Sequence, residues 1–125
     1  MTNEKRVLFL RWALIIAGVF SIFGVFSLMH IWPSGWRWVP THLEYEQMII
    51  TIYATLGVFL LRAAKKPEDN LSLIWFFIWS CITHATVMLY QAFHTHQYAH
   101  IWADVAGLYI FAAIFAYLMP KKKNL

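Results

Sequence analysis

Four apolar runs, each long enough to cross a bilayer, alternate with short polar breaks along this chain. A helix needs about 20 residues, rising about 1.5 Å each, to span the hydrocarbon core. The first run extends from Val7 to Trp32, where Pro33 and Gly35 favour a turn. The second follows Pro40; Thr41 and Glu44 have capping-box spacing, and MIITIYATLGVFLL carries the run on to Ala64. KKPEDN breaks the chain and offers Asp69 or Asn70 as the cap of a third run, Leu71 to His94. A short link holds His96, and the fourth run goes from Tyr98 to Met119, stopped by Pro120.

The pattern predicts an all-α integral membrane four-helix bundle, a single domain over 1–125 with spans at about 7–32, 41–64, 71–94 and 98–119. The opening EKRVLFLRW reads as a retained helix. Its apolar stretch outlasts a signal-peptide core, and MHIWPSGW lacks a small-x-small cleavage site.

Composition agrees: 61% of residues are hydrophobic and only 13% charged, against about 25% charged in an average soluble domain. The formal charge of +4 is not a nucleic-acid patch. Its basic residues sit in short clusters flanking the runs, namely Lys5, Arg6 and Arg11, then Arg62, Lys65 and Lys66, then Lys121, Lys122 and Lys123. In a four-span topology these share one side and Arg37 alone lies on the other, so the positive-inside rule predicts both termini in the cytoplasm. Trp32, Trp36, Trp38 and Trp102 fall on the opposite side, as in an aromatic belt. Cys81, the single cysteine, excludes an internal disulfide and reads as a packing residue.

The polar residues are distributed unevenly. All six histidines (His30, His42, His84, His94, His96 and His100) fall in the outer half, with Glu44, Glu46 and Asp104. Ionisable groups at membrane depth are costly and usually face the bundle interior or a site. His84 lies about 15 Å below His94, near the middle of the bilayer, and Asp104 about 6 Å below His100. Ser80, Thr83, His84, Gln91 and His94 share one helix face, as do Glu46 and Tyr53. His96, His100 and Asp104 repeat every four residues, provided the helix already begins at His96. Ala17, Ser21 and Gly24 form a small-residue stripe suited to close helix packing.

Imidazoles with carboxylates at such spacing suit a transition metal: zinc, copper or iron. The candidate ligands are His94, His96, His100, Asp104 and Glu46. Haem comes second, with His84 as a candidate axial ligand and His30 paired with His94 at similar depth. The bland reading makes HTHQYAH, residues 94–100, a polar turn at the headgroups, Glu44 a cap, and His84 a neutral histidine hydrogen-bonded to Asp104 or a serine. The di-iron Glu-x-x-His motif, HExxH, GxSxG and a phosphate loop are all absent, so no catalytic role is assigned.

The segments IWPSGWRW, EYEQMIITIYATLGVFLL, SLIWFFIWS and THATVM resemble a bacterial family of small four-span membrane proteins of unknown function. That resemblance implies a four-span topology and a place in the bacterial inner membrane; HTHQYAH lies outside the matched segments. The leading functional expectation is a metal- or cofactor-binding protein whose site opens to the periplasm. The alternatives are an oligomeric scaffold or binder of lipid or quinone, and a small proton- or ion-conducting pore. The bilayer is an expected partner, as is a second copy of the chain, because so small a bundle has few internal contacts per helix.

Overall fold

The apolar runs become helices because the bilayer leaves backbone N–H and C=O groups no other partners. The structure, a computed structural model, describes residues 1–121; Lys122 and Lys123 lie outside the described residues. Four helices are long and apolar enough to cross a membrane: α1 (Asn3–Ile31), α3 (Leu43–Ala63), α4 (Leu71–His94) and α5 (Ile101–Leu118). A one-turn helix, α2 (Pro33–Trp36), starts with proline at its first position, where the missing N–H costs no bond. A 3₁₀ turn, Pro67–Asn70, leads into α4. The result is an all-helical, multi-pass architecture, with no strand among the described residues.

Two segments are wound as π-turns: Phe20–Gly24 within α1 and Ile101–Val105 at the start of α5. Such turns interrupt the regular ladder and recur near functional sites. Here both contribute residues to the cleft described below.

Helix α1 packs on α3 and α5, and α5 packs on α4, whereas α3 and α4 barely touch. The tightest crossing is α1 on α3. A Cβ on Gly57 would sit 2.6 Å from the Gly18 carbonyl oxygen, and one on Gly18 would sit 2.9 Å from the Gly57 oxygen. Only glycine fits at both, so the backbones meet directly. Of the expected small-residue stripe, Ala17 and Ser21 are buried, but a Cβ on Gly24 would meet only Phe20 of its own helix. The decisive small residue on α1 is Gly18.

The two ends of α1 and α5 lie side by side. Asn3 donates to the Lys121 carbonyl at 3.0 Å, and the Lys121 N–H donates to the Asn3 side-chain oxygen at 3.3 Å. Arg6 is buried nearby, donates to the Tyr117 carbonyl and lies over the Tyr117 ring. Beyond this end the core fills with Leu10, Leu14, Leu60, Ile74 and Phe115, all 0% exposed.

Several local expectations are corrected. The capping box does not form: the residue flanking α3 is His42, leaving Thr41 one residue too early to reach a first-turn N–H. The Thr41 hydroxyl donates back to the Trp38 carbonyl instead, and Glu44 is exposed. Asn70 flanks α4 without a side-chain cap, because its amide donates to the Lys66 carbonyl at 2.9 Å. His96 takes a left-handed backbone (φ 58°) and lies outside the last helix. The three-rung ladder therefore shortens to His100 and Asp104.

Candidate functional site: a cleft between α3 and α4

Loose contact between α3 and α4 leaves a cleft of about 320 Å³ in the half of the bundle remote from the termini. All four long helices line it. Phe20, Ser21 and Met29 come from α1, Tyr45, Glu46, Ile49 and Tyr53 from α3, His84, Met88 and Gln91 from α4, and Asp104, Gly107 and Phe111 from α5. Its roof is the segment after α1, which adds Trp36 and Trp38. Tyr45, Ile49, His84 and Gln91 line the cleft and are also exposed, so it opens along the α3–α4 seam, where lipid would stand.

The roof is held at three points. Arg37 donates to both Glu46 oxygens, at 2.8 and 3.0 Å, in the bidentate geometry that guanidinium and carboxylate favour. That hydrogen bond, with the Glu46 charge behind it, pushes the Arg37 pKa above its already high ordinary value. Gln97 clamps Val39 from the α4–α5 link, its oxygen accepting the Val39 N–H and its amide donating to the Val39 carbonyl, each at 2.9 Å. Trp38 then reaches across to α5, where its indole N–H donates to Asp104 Oδ2 at 3.1 Å.

Asp104 is the most heavily bonded polar group of the cleft. Oδ2 also accepts from His100 Nδ1 at 2.9 Å, and Oδ1 accepts from the Val105 N–H at 2.9 Å. The Trp38 ring lies flat on the His100 ring, 3.9 Å between centroids and 15° between planes. His100 is 0% exposed, and its Nε2 has no partner.

Across the seam, His84 Nδ1 and the Tyr53 hydroxyl share a hydrogen bond of 2.6 Å, with the two rings nearly parallel. This joins α3 to α4, which otherwise barely touch. The mid-membrane histidine is thus hydrogen-bonded, as its cost in apolar surroundings requires, but to tyrosine rather than to Asp104 or a serine.

Of the residues the sequence marks as candidates, Glu46, His84 and Asp104 line the cleft, and His100 stands directly behind Asp104. The other three lie apart. His30 is exposed and bonds the Phe26 carbonyl one turn back; His94 is exposed and stacks on Tyr90; His96 is exposed and bonds the Tyr98 hydroxyl. Among the described residues, no group of three or more His, Cys, Asp or Glu is placed to hold a metal ion.

Arg37, Trp38 and Tyr53 complete the polar pairs, although the sequence does not single them out as site residues. Arg37 carries one signal, as the lone basic residue among the outer carboxylates. Trp38 carries none: it meets Asp104 across 66 residues of chain. The expected aromatic belt divides, with Trp32 and Trp102 facing outward and Trp36 and Trp38 turned onto the cleft.

The chain belongs to a family of unknown function (DUF6632), whose profile it matches over residues 5–122. No curated protein and no solved structure matches it.

Proposed function

We propose that this member of the family is a membrane-embedded binding protein for a small, largely apolar organic molecule that enters the cleft from the bilayer between α3 and α4. The observation that carries the reading is the cleft itself: mostly aromatic and aliphatic walls, with polar groups at a few fixed positions, as ligand sites generally show. Scaffolding alone accounts less well for it, because a bundle held together only by packing would fill this volume. The expected metal site lacks an assembled ligand set, since its histidines are dispersed into separate pairs. The lipid- or quinone-binding alternative is the one the geometry supports.

Gly107 supplies the test. A Cβ added there meets nothing closer than the Trp36 ring at 3.7 Å, so a larger side chain projects into the cleft. After extraction in maltoside, the wild-type protein is expected to retain about one organic molecule per chain by mass spectrometry. Gly107→Leu is expected to lose it at unchanged helical circular dichroism. Equal small-molecule content in the two proteins defeats the reading.

The charge distribution supports a bacterial inner-membrane setting with cytoplasmic termini and a periplasmic cleft, since nine of the ten lysines and arginines flank the termini-side ends of the spans. In a Cys81→Ser background, a membrane-impermeant thiol reagent is then expected to label Ser34→Cys, but not Glu68→Cys, in intact cells whose outer membrane has been permeabilised. The reverse pattern inverts the topology.

A further inference from the structure

The charge inventory of the cleft says what kind of molecule fits it. Among its lining residues are two carboxylates, Glu46 and Asp104, and no lysine or arginine. Arg37, just outside the lining, answers Glu46 through its bidentate pair. Among the described residues no lysine or arginine answers Asp104, whose hydrogen-bond partners are an indole, a backbone N–H and an imidazole. The cleft therefore holds one acidic side chain that no lysine or arginine faces.

The walls around that side chain are aromatic. Trp36, Trp38, Tyr45, Tyr53, Phe20 and Phe111 all line the cleft. Aromatic faces attract cations through the ring quadrupole, and a cage of them is the usual receptor for quaternary ammonium groups. The cleft also opens sideways to lipid, so a ligand with an apolar body can reach it without leaving the membrane.

We infer that the cleft selects lipophilic monocations, molecules with an apolar body and a quaternary or tertiary ammonium group, over neutral molecules of the same shape. The cation answers the Asp104 charge while its methyl groups lie against the aromatic walls. This rests on the cleft being a ligand site, and the two ideas fail separately.

The probes are benzyltrimethylammonium and its uncharged carbon isostere, 2,2-dimethylpropylbenzene, titrated calorimetrically into full-length protein in maltoside micelles. Gly107→Leu is titrated in parallel to subtract partition into the micelle. The expected result is saturable binding of the cation to the wild type, lost in Gly107→Leu, with the isostere at least about tenfold weaker. Comparable binding of both probes overturns the charge selectivity and leaves the cleft a ligand site. No binding of either probe beyond that of Gly107→Leu overturns both.

Asp104→Asn is expected to weaken the cation about tenfold and leave the isostere unchanged. An unchanged cation affinity in a folded Asp104→Asn protein overturns the proposal. If that variant does not fold, Tyr45→Leu takes its place, because Tyr45 is 63% exposed and the fold does not depend on it. It is expected to cost the cation about threefold more affinity than the isostere; equal losses overturn the proposal.

Discussion

The two halves of the bundle pack in opposite ways. At the termini end, side chains from all four long helices close into one buried cluster, running from Leu10 and Leu14 through Leu60 and Ile74 to Phe115 and Leu118. At the far end the buried apolar cluster shrinks to Ala85, Met88 and Val105, and the remaining space is the cleft. The Gly18–Gly57 crossing draws α1 and α3 together, while α3 and α4 stay in loose contact. There aromatic side chains, some of them in contact with one another, border a space that packing does not fill. Polar pairs hold that end together: Arg37 with Glu46, Trp38 and His100 with Asp104, Tyr53 with His84. One end holds the main buried core, and the other encloses the cleft.

The sharpest test of this contrast is to remove a side chain from each end. Phe115 is 0% exposed and wedged against Phe77, with ring centroids 5.0 Å apart. Phe115→Ala leaves a hole the neighbours cannot close, and is expected to cost about 3–5 kcal/mol in equilibrium unfolding from mixed micelles. Met88 already borders the cleft, so Met88→Ala enlarges an existing space and is expected to cost about 2 kcal/mol or less. Equal losses at the two sites dissolve the distinction between the halves.

A smaller effect probes the roof alone. Arg37→Ala removes the bidentate clasp on Glu46 without touching the buried cluster. Amide hydrogen exchange is expected to quicken across 36–39 while the core of α1 and α3 keeps its protection and the unfolding midpoint stays in place. Faster exchange throughout the bundle would show that the clasp supports the whole fold and not only the roof over the cleft.

Much of the architecture is legible in the chain, for a definite reason. Apolar length fixes the number of spans, since an unbroken run of such residues has no soluble alternative and its backbone must become helical. The boundaries drift by a few residues where local signals compete, as at Thr41, where capping-box spacing lost to the path imposed by the roof. For the site, depth is the informative quantity. Glu46, His84 and Asp104 are costly where they stand, and that cost alone marks them. The HTHQYAH turn is the counterexample: His94 and His96 have attractive spacing, yet at the membrane surface they pay nothing to be polar and bond only to near neighbours.

What the sequence determines by itself is therefore the four spans, the charge bias between their ends, and which polar residues lie too deep to be accidental. Each follows from transfer between water and lipid, a property of residues taken one at a time. Only the tertiary structure decides that α3 and α4 part to leave a cleft, that Trp38 crosses to Asp104, and that His84 bonds Tyr53. Those outcomes depend on where two glycines let backbones touch and where a short roof is clamped, and such pair geometry is not written in any one segment.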